Sequence, residues 1–489
     1  LTASFTTLPD ESTPPPVRQR SGPIHWDRWF LAIGVPFGVL LLVLLPPANS
    51  ADEGHHLARI DQIVRGHVIA PLDSNHLATG QVDGCLNMFL VRLSYAMSDT
   101  HWRPADAFHQ YRCGRSTQIE LSNVALNSPV AYGPALVGYV AGRAVGGVLL
   151  GFWLARIFGL AWYLGVCWLA IRVAPSGKPF LMFLALLPTP FVLATTMSAD
   201  PMAISLGLFA VALVLRLRIA RGGERVSDPT RWLLPVFAVC LLLLAMSKNL
   251  YGVMGLLVLL VPGERFSSPR RHREYVAGVL VSITAATLAW GVLVLNRVRV
   301  VVPFLFDDSF AQRAWIRAHP GDFARLATRS VFGTTLLPTH TWPTLVASTY
   351  PARAAHTFAA PPLVSLIALG LAVLGLAVSR TPIDPGSGRA STLDRFAVYA
   401  IPILILGTVL ALVVYGEALT FTHPLAPDVN VTYVEGRFFV PVLGVLLLPL
   451  ARSRRVTAST GPAWACWTIC AGSAGIVVWS LAWLIALQY

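Results

Sequence analysis

Apolar residues run along this chain in blocks that are too long and too continuous for soluble helices. Phe30 to Leu45, Val148 to Leu169, Val276 to Leu295 and Trp464 to Leu487 approach or exceed the roughly 20 residues that a helix needs to cross the hydrocarbon core. Short polar connections separate the blocks and period-two alternation is absent, so the pattern predicts helices and excludes a transmembrane β-barrel. Counted along the chain, the blocks predict an all-α integral membrane protein with about eleven transmembrane helices. Two connections are long, 49–128 and 297–356, and the first is expected to carry juxtamembrane helices. Residues 1–28, with Pro14, Pro15 and Pro16 among scattered charges, read as a disordered tail; residues 29–489 read as one polytopic domain. Arg18, Arg20 and Arg28 before the first block give it the look of a signal peptide. Its length and the prolines Pro46 and Pro47 favour a first span instead.

Composition agrees with the pattern. Of 489 residues, 55% are hydrophobic and 12% charged, more apolar surface than one soluble core of this size buries. The net charge of +13 sits on arginines spread over short connections, which argues for membrane topology and against a nucleic-acid-binding face. Placing the basic connections in the cytoplasm collects Arg172 with Lys178, Arg216 to Arg231, Arg265 to Arg273, Arg380 to Arg395 and Arg452 to Arg455 on one face of the plasma membrane, together with the N-terminus. The extracytoplasmic face then receives both long connections, the turns at Ser198 to Asp200 and Ser247 to Asn249, and Gly416 to Gly436. Ten of the twelve histidines fall there as well, so the varied chemistry of the chain is expected on that side. Neither a P-loop nor a dinucleotide fingerprint occurs.

Immediately after the first block stands Ala51-Asp52-Glu53-Gly54-His55-His56-Leu57-Ala58-Arg59. On a helix, Asp52, His55, His56 and Arg59 share a face. Such a group can take a proton from a hydroxyl or hold a divalent cation; the competing reading is a helix start, with Asp52 and Glu53 favoured by the dipole. Arg143 and Arg156, near the outer end of the next span, must snorkel, pair or meet an anion. Asp200 either caps the helix that Pro201 opens or carries function. Lys248 stands out, because it and Lys178 are the two lysines of the chain. Glu435, Gly436 and Arg437 put an acid and a cation at the start of a late span, as an ion pair or as an anion site. Cys85 and Cys113 share the first outer segment, either as a disulfide in an oxidising compartment or as two thiols; the other four cysteines lie in apolar runs as packing residues. Trp315, Trp342 and Tyr350 suit stacking on sugar faces or anchoring at the membrane interface.

Together these motifs resemble a family of bacterial membrane proteins of unassigned function that looks related to the GT-C class of lipid-linked-sugar glycosyltransferases. The resemblance rests on Pro47, Asp52-Glu53, His56, Arg59 and Gly66; on Tyr132-Gly133-Pro134; on Ser198-Ala199-Asp200; on Ser247-Lys248; and on Glu435-Gly436-Arg437-Phe438-Phe439. That last motif departs from a Gln-Gly-Arg-Tyr-Phe pattern at two positions. The resemblance implies a GT-C-like fold and transfer of a sugar from a polyprenyl-phosphate donor to a glycan, lipid or protein acceptor at the outer membrane surface, with inversion. Asp52, with Glu53 as competitor, takes the role of base. Arg59, Lys248 and Arg437 bind the donor phosphate, and His55, His56, Asp200 and Tyr132 support the site. A magnesium or manganese ion held by Asp52, Glu53 and His56 is one option and metal-free catalysis the other. The rival function is a transporter or flippase of a lipid-linked saccharide.

Overall fold

A computed structural model of the chain describes residues 25–45, 47, 52–98, 113–218, 232–302, 307–333, 340–349, 358–379, 392–420, 425–426, 431, 434–450 and 463–488. Of the expected tail 1–28, residues 1–24 lie outside the described residues, and a helix begins at Trp26 within the rest; most of the basic connections after Arg218, Ser379 and Leu450, and Tyr350, also lie outside the described residues.

The elements follow the apolar blocks. Helix α1 (Trp26–Leu44) leads to α2 (Glu53–Val64), β1 (Thr79–Val82), α3 (Gly84–Ser98), β2 (Thr117–Glu120), α4 (Ser122–Ala125) and α5 (Gly133–Val173). Next come α6 (Lys178–Ala185), α7 (Pro188–Thr195), α8 (Asp200–Arg218), α9 (Leu233–Ser247), a 3₁₀ helix over Asn249–Leu260 and α10 (Pro269–Trp290). The second long connection holds β3 (Val301–Val302), β4 (Asp307–Asp308), α11 (Ser309–Ala318), α12 (Pro320–Phe332), α13 (Trp342–Val346), β5 (Ser348–Thr349) and β6 (Phe358–Ala359). The chain continues through α14 (Pro362–Val378), α15 (Thr392–Thr420), α16 (Val440–Leu443), α17 (Leu447–Leu450) and α18 (Ala463–Gln488). The strands pair only as two-stranded antiparallel ribbons.

Among the described residues, six helices are long and apolar enough to cross a membrane, or seven if the bent pair α6 and α7 counts as one span; four apolar helices of 10–17 residues accompany them. This is an all-α membrane protein. Helix α8 is its axis: its sequence is apolar all round, and it is buried from Asp200 to Leu215, as expected of a helix with neighbours on every side. Gly207 lets the backbone of α16 approach, because a Cβ there would lie 2.3 Å from the Pro441 carbonyl oxygen. A small residue at a helix crossing is what close packing in lipid requires.

The 41-residue α5 is not one rod. Gly147, at φ 76°, reverses the chain beside Gly146, and the two arms lie against each other. A Cβ on Gly138 would meet the Leu154 carbonyl at 2.3 Å, and one on Gly142 would meet the Gly151 nitrogen at 2.5 Å. The first arm, 133–145, spans about 20 Å at 1.5 Å per residue, too short to cross, whereas the second coincides with the apolar block expected from the sequence.

Two ends of the bundle are chemically distinct. At one, Lys178 feels the charges of Asp27, Arg216 and Arg172, Arg218 donates to the Leu260 carbonyl at 2.8 Å and Arg265 to that of Leu217 at 3.0 Å. At the other lie the Leu45 carbonyl, Met197, Lys248 and the two long connections. These connections form one layer: the Arg299 N–H donates to the His76 carbonyl at 2.8 Å, the Trp290 indole donates to the Leu126 carbonyl at 2.8 Å, and Ala70, Ala78, Ala125, Val294, Val298 and Val300 share a small core. A disulfide joins Cys85 to Cys113 across 28 positions of the first connection.

Candidate functional site

The adjacent acids Asp52 and Glu53 point to different places, and backbone geometry is the reason. Asp52 has φ 63° and ψ 9°, a left-handed conformation that Asp tolerates better than most residues and that commonly marks functional positions. The turn leaves the Asp52 side chain 40% exposed beside His55, at 3.5 Å, while Glu53 faces inward and is 1% exposed.

Glu53 is consumed by structure. Its two oxygens accept from Arg156 Nε at 2.8 Å and Nη2 at 2.7 Å, and Oε1 also accepts the Met197 N–H at 3.0 Å. Arg156 donates Nη1 to the Leu45 carbonyl at 3.0 Å and covers the Phe152 ring at 4.7 Å. Buried charges persist when they are paired and saturated with hydrogen bonds in this way. This pair ties the end of α1, the start of α2, the second arm of α5 and the turn after α7 together. Pairing therefore accounts for Arg156. It also accounts for Arg143, which binds Asp83 and lies 3.8 Å from Asp61; Asp61 further accepts from Tyr139 and from Arg65, each at 2.7 Å.

Arg59 departs from the face expected for it. It is fully buried and donates to Gln62 and to the carbonyls of His67, at 2.9 Å, and Val68, closing the loop after α2. His56 is buried with its Nδ1 2.7 Å from the Tyr132 hydroxyl. Burial pushes its pKa down to about 4, against the pull of Asp52 and Asp200. For Asp52, burial acts to raise the pKa, but the hydrogen bond with His55 and the charges of His56, His55 and Arg437 prevail and hold the carboxyl below its ordinary range. Asp52 is thus ionised at neutral pH and His56 is not. The expected metal set is not assembled: Glu53 is turned onto Arg156, and among the described residues no three His, Cys, Asp or Glu side chains come together as metal ligands.

What the fold does bring together comes from distant segments. Asp200, 4% exposed, opens α8 and binds Lys248 from the break after α9; Arg437, just before α16, lies 3.9 Å away from the other carboxylate oxygen. Arg437 also pairs with Glu435 at 2.7 Å. Both cations lie 5.2 Å from the Phe438 ring, within cation–π range, and the Tyr251 hydroxyl donates to the Phe438 carbonyl at 3.0 Å. Gly436 is required here, because a Cβ would strike Leu345 and the Thr341 carbonyl oxygen at 2.3 Å. Asp52 and His56 both feel Arg437, and His56 also feels Asp200 and Lys248, so α2 overlooks the same cluster. A narrow slot of about 20 Å³ beside it, room for about one water, is lined by Ala131, Pro134, Gly159, Trp162, Ser198 and Pro201.

Sequence reasoning missed Glu417, a buried acid in the last turn of α15 that feels Glu435, Arg437 and Lys248. A lone acid ending an apolar run was the available signal. The tryptophans in the second connection have structural partners: Trp315 stacks on His319 at 5.1 Å and the Trp342 indole donates to the Ser365 carbonyl at 2.8 Å.

Residues 36–448 match the model of a family described as a predicted membrane protein family, DUF2142. No curated protein and no solved structure matches the chain.

Proposed function

The chain belongs to this family of predicted membrane proteins, and on that premise we propose that it is a glycosyltransferase that takes a sugar from a polyprenyl-phosphate donor at the extracytoplasmic face of the plasma membrane. The observation that carries the reading is an exposed, ionised carboxylate, Asp52, in the field of Arg437, which a buried carboxylate, Asp200, holds together with Lys248. An acceptor hydroxyl gives its proton to Asp52 while its oxygen bonds to the anomeric carbon. The bond from that carbon to the phosphate oxygen breaks with inversion, and the lipid phosphate leaves toward Lys248 and Arg437, where fixed positive charge stabilises it. Glu53 is a poor base because Arg156 and the Met197 N–H occupy its oxygens, and Arg59 is spent on backbone carbonyls. The arginine-rich end of the bundle faces the cytoplasm by the positive-inside rule. In this reading the arrangement is GT-C-like with about eleven crossings, of which the six long helices and the bent pair α6 and α7 supply seven.

The test is sugar transfer from a panel of polyprenyl-phosphate sugars to envelope acceptors by purified protein. Asp52→Asn should lower turnover by about 10²–10⁴, the span of general base catalysis, with donor binding retained, while Lys248→Met and Arg437→Met should weaken donor binding. Transfer at the wild-type rate by Asp52→Asn would remove the mechanism. Movement of a labelled donor across vesicles without transfer would identify a flippase instead.

A further inference from the structure

Helix α12 has two unlike faces. Leu326, Ser330 and Val331 are buried, Phe323 packs edge-on against Tyr415 near the end of α15 with ring centroids 6.1 Å apart, and the Ser330 hydroxyl accepts the Val431 N–H at 2.9 Å. Because Phe396–Thr420 is one of the long apolar helices, contact with Tyr415 sets α12 at the level where that span leaves the hydrocarbon. The opposite face carries Arg325, Arg329 and Phe332 at spacings of four and three, so the three side chains form one stripe. Arg325 is 82% exposed and Phe332 78% exposed. With Ala324, Thr328 and Gly333 they line a shallow, open depression.

We infer that this face of α12 binds the anionic headgroup of a phospholipid from the surrounding leaflet. Guanidinium groups one helical turn apart can both reach a single phosphate, and their planar donors match its oxygens. Phe332 then lies among the upper methylenes, while the arginine stems cover apolar surface and lift their charges to headgroup level. Arg325 and Arg329 are set against one acid of the same helix, Asp322, which pairs with Arg325, and this excess of guanidinium over carboxylate along α12 selects an acidic lipid over a zwitterionic one. The inference shares no residue with the proposed catalytic cluster and stands whether or not sugar transfer is found.

Native mass spectrometry of the full chain, purified in detergent and offered equimolar phosphatidylglycerol and phosphatidylcholine, measures the preference. The wild type should retain phosphatidylglycerol several-fold better. Arg325→Gln with Arg329→Gln should abolish the preference, and Arg325→Lys with Arg329→Lys should keep part of it. Equal retention of the two lipids by the wild type, an unchanged preference in the double glutamine variant, or displacement of the lipid by inorganic phosphate would overturn the inference. A nitroxide at position 328, in Thr328→Cys reconstituted into vesicles, reports depth independently of lipid release. Headgroup-level oxygen accessibility is expected, and accessibility equal to that of a label in bulk water would count against it.

Discussion

Replacing Glu53 tests whether the buried pair holds the layer of long connections on the membrane bundle. Glu53→Ala leaves the Arg156 guanidinium, which is 0% exposed, without its bidentate partner and takes the acceptor from the Met197 N–H. Removing one member of a buried ion pair costs about 3–5 kcal/mol, because the other charge stays desolvated and uncompensated. That is a large fraction of the stability of an ordinary domain, so the variant should unfold at clearly lower temperature in detergent and trap less correctly folded protein. Glu53→Met with Arg156→Met removes both charges and fills similar volume. It should recover most of the loss, since well-packed apolar residues often replace a buried pair at little cost. Exchanging the residues, Glu53→Arg with Arg156→Glu, should not recover it, because the Leu45 carbonyl needs a donor and the Met197 N–H an acceptor where each now stands. Thermal unfolding followed by fluorescence-detected size exclusion reads all four proteins. Wild-type stability in Glu53→Ala, combined with loss of sugar transfer, would refute the structural assignment and return Glu53 to the list of bases.

Other consequences are open to measurement. The pKa of His56 is pushed to about 4 in the folded chain from about 6.5 in an unfolded one, so the folded state takes up its proton later as pH falls. Stability from this group is complete above about pH 6.5 and falls toward pH 4 by about 1.4 kcal/mol per unit, about 3–4 kcal/mol in total; His56→Gln should flatten that part of a stability–pH curve. Cys85→Ser opens the 28-residue loop and should cost about 3–4 kcal/mol by chain entropy, seen as lower thermal stability without a shift in the mass of the unreduced wild type on reduction and alkylation being needed. Gly207→Val drives a side chain into the Pro441 backbone, so it should separate α16 from α8 and lower folded yield, whereas Gly165→Val, with open space around the Cβ, should be tolerated.

Much of the candidate site was legible because its residues are polar where the pattern allows none. Asp200 and Lys248 interrupt apolar blocks at short turns, and the pairing of one with the other follows from α8 and α9 being neighbours whose ends meet. The roles within Asp52 to Arg59 were not legible, because helical spacing assumes that the helix begins before Asp52. The left-handed residue comes first instead, so Glu53, His56 and Arg59 face protein while Asp52 and His55 face out. Glu417 went unread because a single acid at the end of a long apolar run has no neighbour in sequence to give it meaning; its neighbours, Glu435 and Arg437, come from beyond the next connection.

The sequence by itself determined the solvent and the architecture: apolar blocks of spanning length require lipid and helices, since unpaired backbone cannot be left in hydrocarbon. It also determined which connections carry charge. Only the tertiary structure decided how those charges are spent. Burial and partners are set by contacts between segments that are far apart in the chain, so two adjacent carboxylates of like chemistry became a strut, Glu53 on Arg156, and an exposed anion, Asp52, in the field of Arg437. The reversal at Gly146 and Gly147 was decided in the same way. Hydropathy reads 133–173 as continuous, and close approach of two glycine-lined arms folds it back.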